Sequence, residues 1–185
     1  MKLEFACDRD RWEIAVPDDA VVYASRYPAP LADAATLVGA ALDQPAGAPR
    51  LEHALRRRRP GKICVVVSDI TRPIPYASFL PQVLARIEAA GAPRRDMLLL
   101  IGTGMHRPST RAERVEMFGE RIAAQYEIVD HRADDPAELA DVPGRCWSGH
   151  PIRLNRHLAA AGFRFATGLV EPHFMAGFSG GRKAI

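Results

Sequence analysis

The hydrophobic pattern along the chain changes character twice, and each pattern predicts a different element. Ile63-Cys-Val-Val-Val67 and Met97-Leu-Leu-Leu-Ile101 are unbroken apolar runs. A strand covered on both faces has no polar side to show, so these runs predict central strands of a parallel sheet. Tyr126-Glu-Ile-Val129 reads as a third strand, Pro151-Ile-Arg-Leu154 as a short one, and Phe163-Arg-Phe-Ala-Thr-Gly-Leu-Val170 as a last buried strand. Between them the period changes. Phe79, Leu80, Val83, Leu84 and Ile87 recur at helical spacing, with Ser78 as the expected cap and Gly91 as the stop. Thr110 and Glu113 form a capping box for a short helix that ends near Gly119, and a further short helix is expected from Leu154 to Ala161. Residues 28–60 are rich in Ala and Pro, with helices expected over Leu31 to Leu42 and Arg50 to Arg59 on either side of Gln44-Pro-Ala-Gly-Ala-Pro49. Residues 1–27 carry short apolar runs, Leu3 to Ala6, Trp12 to Val16 and Val21 to Tyr23, with a turn at Pro17-Asp18-Asp19, and read as a small β-rich start. From Lys62 onwards strands alternate with helices. The pattern predicts an α/β core over residues 61–185, a Rossmann-like layered sheet with helices on both faces.

Composition narrows the function classes. The 185 residues are 48% apolar and 25% charged, an ordinary globular balance, and the net charge of +3 is the difference between 25 basic and 22 acidic residues. That mixture argues against a nucleic-acid partner, and Arg56-Arg-Arg-Arg59 reads instead as solvated cations complementing the dipole at a helix end. The three cysteines, Cys7, Cys64 and Cys146, are widely spaced and odd in number, as fits a reducing cytoplasm better than a disulfide framework or a metal motif. No apolar run approaches membrane-spanning length, and the charged start does not read as a signal peptide, so no membrane partner is expected.

The candidate chemistry lies in loops that follow the strands, where open α/β sheets bind ligands. Asp69 and Arg72 follow the first central strand, His106 and Arg107 the second, and His173 and Lys183 the last. Histidine titrates near neutrality, so of two histidines facing one carbon centre one can be the neutral base and the other the protonated acid. Arg72 offers a planar fork for a carboxylate, and Asp69 could orient either Arg72 or a histidine. Gly177, Gly180 and Gly181 permit a tight turn, and Ser179, Gly180, Gly181, Arg182 and Lys183 could together hold an anion. A Walker A loop is excluded, because Arg182 separates Gly181 from Lys183 and Ala184 replaces the metal-binding hydroxyl.

Ser68-Asp-Ile-Thr-Arg-Pro73, Gly102-Thr-Gly-Met-His-Arg107 and Glu171-Pro-His-Phe-Met-Ala-Gly-Phe-Ser-Gly-Gly-Arg-Lys183 resemble the motifs of the nickel-dependent lactate racemase family. The resemblance extends to Ala41-Leu-Asp-Gln-Pro45 and Ile128-Val-Asp-His131. It implies the amino-terminal catalytic domain, residues 1–185, of a two-domain racemase or epimerase of 2-hydroxy acids that uses a nickel pincer nucleotide. It further implies His106 and His173 as the acid/base pair on the substrate hydroxyl, with hydride exchange between substrate carbon and cofactor ring. Lys183 would tether the cofactor, and Arg72 would bind the substrate carboxylate with Asp69 beside it. The protein ligand to nickel in the family is a histidine downstream of the lysine, so the resemblance places it beyond Ile185, with no metal ligand in this chain. The second domain would be absent too, leaving a truncated piece expected to be inactive alone and to self-associate through the face that domain would cover. The alternative is a non-catalytic nucleotide- or cofactor-binding module, which would need Lys183 and the glycine turn but no histidine pair.

Overall fold

The computed structural model describes residues 1–7, 10–23, 33–58 and 61–185, apart from the side chains of Cys7 and Arg182. Residues Met1–Leu31 and Ala32–Ile185 form separate compact units. The expected helix start at Leu31 and the last residue of the Arg56–Arg59 run lie outside the described residues.

In the first unit, β1 (Lys2–Cys7) and β2 (Asp10–Ala15) pair as an antiparallel ladder. The strand period of two sorts their side chains. Leu3 lies opposite Ile14 and Phe5 opposite Trp12 on one face, while the other carries Lys2, Glu4, Arg11 and Glu13. On that charged face Lys2 pairs with Glu13 at 2.6 Å and Arg11 with Glu4 at 3.2 Å. The expected turn forms where the Ala20 amide donates to Pro17 O. Val21–Tyr23 is exposed and forms no strand among the described residues.

The second unit is built on four parallel strands in the order β5-β4-β3-β8: β3 is Ile63–Val67, β4 Met97–Ile101, β5 Glu127–Asp130 and β8 Phe163–Ala166. Ile63 is in register with Met97 and with Phe163. The central strands alternate between two layers. Ile63, Val65, Val67, Met97, Leu99 and Ile101 meet the larger layer, formed by α1 (Ala34–Asp43), α2 (Leu51–Arg58), α3 (Tyr76–Ala89), α4 (Arg111–Phe118) and α5 (Glu120–Gln125). Cys64, Val66, Leu98 and Leu100 meet Leu158 of α6 (Arg156–Ala160) on the other side. This is the expected α/β sheet between helices. Every residue of β3 and β4 is buried, and each such side chain contributes roughly 1.5–3 kcal/mol of transfer free energy. Among the described residues no helix is long and apolar enough to cross a membrane.

Several boundaries differ from the sequence pattern for local reasons. Ser78 is not the cap of α3: the helix starts at Tyr76, whose buried ring fixes the first turn, and the Ser78 hydroxyl donates to Pro75 O at 2.7 Å. The capping box of Thr110 and Glu113 forms as expected. Pro151–Asn155 is a strand, β7, but it pairs antiparallel with β6 (Leu139–Arg145) outside the main sheet. β6 carries Pro143 and Gly144, and the ladder is irregular there. β8 ends at Ala166, earlier than Val170; the Thr167 amide makes the last ladder hydrogen bond, to Val66 O, and its hydroxyl meets the same oxygen, both at 2.9 Å. Beyond it come the short antiparallel pair β9 (Pro172–His173) and β10 (Gly177–Phe178) and a closing turn, Gly181–Ala184.

Candidate active site

Parallel strands point their carboxyl ends the same way, so the loops after β3, β4 and β8 share one edge of the sheet. A small cleft of about 90 Å³ lies there, with Ser68, Asp69, Arg72, His106, Ser179, Gly180 and Lys183 in its wall. His173 and Gly181 do not line it.

Asp69 is the buried charge of the site, 6% exposed. Its Oδ1 accepts the Thr71 hydroxyl at 2.6 Å and the Thr71 amide at 3.2 Å, and its Oδ2 meets His106 Nδ1 at 2.5 Å. Burial alone would raise its pKa, but the hydrogen bonds from Thr71 and His106 outweigh it and hold the carboxyl below its ordinary value. The ionised carboxylate therefore accepts a hydrogen bond from Nδ1–H, which leaves the lone pair of the neutral ring on His106 Nε2. Of the two partners open to Asp69 in sequence, it orients the histidine. The main-chain bond from His106 N to Thr103 O closes the turn that places the ring, and Gly104 allows that turn with φ of 59°. Arg72 is half-buried in the same wall. Arg107 turns away to Glu113, at 2.5 and 2.9 Å, and drives the Glu113 pKa down to about 2.

His173 has the opposite ring polarity. Its Nδ1 accepts the amides of Met175 at 3.2 Å and Ala176 at 3.1 Å, and its ring stacks on Phe174. With Nδ1 accepting, the neutral ring carries its proton on Nε2. His131, just past β5, accepts from Asn155 Nδ2 at 3.2 Å and is kept neutral by burial, which pushes its pKa down against the pull of Glu138.

The glycine turn is shaped by contact. A Cβ on Gly180, at φ of 75°, would sit 2.9 Å from Leu169 O, and one on Gly168 would sit 3.1 Å from Gly180 Cα. Ser179 gives its hydroxyl proton to Leu169 O at 2.6 Å and its amide to Glu171 O, so both its donors are spent inside the loop. Among the described residues no protein acceptor takes the Gly180 or Gly181 amide. Lys183 is exposed at the mouth of the cleft. The Arg182 side chain lies outside the described residues. Among the described residues no group of three or more His, Cys, Asp or Glu side chains could hold a metal ion.

Thr71, Tyr76 and Thr167 also hold this edge together, and the motif reading does not single them out. The spacing Asp-x-Thr is the signal for Thr71, since a hydroxyl two residues on can close back onto the carboxylate.

Fold and cleft together define an α/β domain with a cleft at the carboxyl ends of its strands, the edge at which open sheets of this kind bind ligands. The chain belongs to the lactate racemase N-terminal domain family, whose profile matches residues 8–185. It is 38% identical over 144 residues to the lactate racemase of Lactiplantibacillus plantarum, a match covering 78% of this chain and 33% of that protein. It is 35% identical over 149 residues to the lactate racemase of Thermoanaerobacterium thermosaccharolyticum, covering 80% of this chain and 34% of the relative. The chain therefore matches about a third of the length of these relatives. The structure of the lactate racemase apoprotein from Thermoanaerobacterium thermosaccharolyticum superposes with a TM-score of 0.81 at 29% identity, over 100% of this chain and 42% of that one.

Proposed function

We propose that this domain supplies the acid–base and cofactor-holding groups of a racemase acting on a 2-hydroxy acid such as lactate. The observation that carries the reading is the Asp69–His106 couple, set in one wall with Arg72 and Lys183. The Arg72 guanidinium takes the substrate carboxylate in a two-point contact. His106 Nε2 accepts the proton of the substrate hydroxyl, and the buried Asp69 carboxylate stabilises the imidazolium that results. His173 presents Nε2–H, which gives the substrate oxygen a hydrogen bond while its turn is formed. To give up a proton as the imidazolium acid, or to accept one at Nε2, His173 must hold a proton on Nδ1 and so must release the Met175 and Ala176 amides.

The nickel pincer nucleotide implied by the motif resemblance is compatible with these residues. The exposed Lys183 amine is open to a covalent link, and the Gly180 and Gly181 amides are available to an anion. The cleft is smaller than the roughly 300 Å³ at which ligand pockets begin, so it takes the reacting end while the nucleotide lies on the exposed loop. A metal there would arrive with donors of its own. When bound, such a group supplies hydride exchange at the substrate carbon, which none of these side chains can do. Phe174, Met175 and Phe178 are exposed beside His173. We assign to them the surface on which further polypeptide, of the kind the longer relatives possess, excludes water from the reacting centre.

The test is racemisation of D- and L-lactate by the cofactor-loaded enzyme. His106→Ala and His173→Ala should each lose on the order of a hundredfold or more. Near-normal turnover of either variant in both directions would remove that histidine from the mechanism.

A further inference from the structure

Tyr76 opens α3 with its ring 1% exposed, packed on Phe79 and Phe118 at centroid distances of 5.6 and 5.5 Å. A phenylalanine would fill that space equally well, so the hydroxyl has a separate role. It accepts the Ser68 amide at 2.6 Å and lies 3.2 Å from Thr167 Oγ1. The Thr167 hydroxyl donates to the phenol oxygen at that distance and also reaches Val66 O at 2.9 Å. One phenol thus joins the carboxyl ends of β3 and β8. Ser68 is the residue before Asp69, and Thr167 precedes the Gly168–Leu169 segment onto which Ser179 and Gly180 fold.

We propose that Tyr76 is a positioning residue, whose hydroxyl fixes the Ser68–Asp69 backbone so that the carboxylate meets His106 Nδ1. Asp69 has two restraints on its approach to the ring. Thr71 holds Oδ1 from the far side, and the Ser68 amide holds the main chain on the near side. Without the phenol hydroxyl, the Ser68 amide loses its acceptor at the point where the loop leaves the strand. The carboxylate can then swing with Thr71 as a unit, and His106 loses the contact that fixes its tautomer. Tyr76 touches no reacting atom; it acts through Asp69. Its value for catalysis rests on the role proposed for His106, but its effect on the Asp69–His106 contact does not.

The test uses the 185-residue chain and no substrate. The His106 Nδ1–H proton, held by a carboxylate, gives a resolved downfield NMR signal, while a ring released to solvent exchanges and loses it. In Tyr76→Phe that signal should broaden to loss, and the Ser68 amide should exchange with solvent at least about tenfold faster, as a backbone group without its partner does. Thr167→Val keeps the side-chain shape and removes the other partner, so it should weaken the signal as well, whereas Thr167→Ser should keep it. Ile87→Val, in the buried part of α3, should lower the melting temperature and leave the signal intact. A His106 signal as sharp in Tyr76→Phe as in the unmodified chain overturns the proposal. Loss of the signal, joined with full racemisation by His106→Ala, would leave it standing and defeat the catalytic reading instead.

Discussion

Replacing Asp69 by asparagine changes one atom of a buried contact and, through it, the proton on the neighbouring ring. The asparagine carbonyl can still accept from the Thr71 hydroxyl, since Oδ1 already does so at 2.6 Å. The amide nitrogen then takes the place of Oδ2, where it can only donate. His106 Nδ1 must become an acceptor, which moves the ring proton to Nε2 and removes the lone pair from the atom facing the cleft. The base is lost by inversion of a tautomer, with little change in shape. General acid–base groups contribute about a hundredfold to ten-thousandfold, and the ring here also loses the carboxylate that stabilises its charged form. Asp69→Asn should therefore lower kcat for both lactate enantiomers by about 10²–10⁴ and, on the proposed assignment of the carboxylate contact to Arg72, change KM little. Unfolding against pH gives a second readout. Asp69 has a folded pKa below its ordinary 3.8, since the bonds from Thr71 and His106 outweigh burial. A depressed carboxyl pKa contributes stability above the unfolded value and loses it as pH falls through the folded one. The wild-type chain should thus lose a stability increment below about pH 3.8 that Asp69→Asn, without a titrating group, does not lose. Retention of more than a tenth of wild-type kcat by Asp69→Asn would refute the assignment of Asp69 as the group that sets the base.

The glycine turn offers a paired comparison. Gly180→Ala would place Cβ 2.9 Å from Leu169 O at a φ of 75°, whereas Gly181→Ala, at 54°, meets nothing within 4 Å. Both carry a left-handed conformational cost of about 1 kcal/mol. Only Gly180→Ala adds a backbone clash, so amide exchange over 168–183 should rise far more in it, and equal protection in the two variants would show that the contact does not shape the turn. Lys183→Ala should abolish any cofactor-derived mass on the cofactor-loaded enzyme, with intact-mass spectrometry as the readout. Equal added mass in both samples would exclude Lys183 as the tether.

The parts of this domain that depend on one local pattern were legible in the chain. Ile63–Val67 and Met97–Ile101 are apolar at every position because helices cover both sides, and Thr110 with Glu113 closes its capping box without outside help. The parts that depend on remote partners were not. Leu139–Arg145 is a strand that the pattern did not predict; its ladder with Pro151–Asn155 is irregular between Val142 and Arg145. The Thr167 hydroxyl finds its acceptor at Val66, 101 residues away. The same distinction runs through the site. Asp69, His106, His173 and Lys183 carry functional groups that draw notice wherever they stand. Their ring polarities do not appear in sequence at all, since they depend on which atoms face Nδ1. A carboxylate there makes His106 an acceptor at Nε2, and two amides there make His173 a donor. Two histidines that look interchangeable in the motifs are therefore unlike in the fold: His106 stands in the wall of the cleft with a carboxylate on its Nδ1, while His173 lies outside that wall with its Nδ1 held by the Met175 and Ala176 amides.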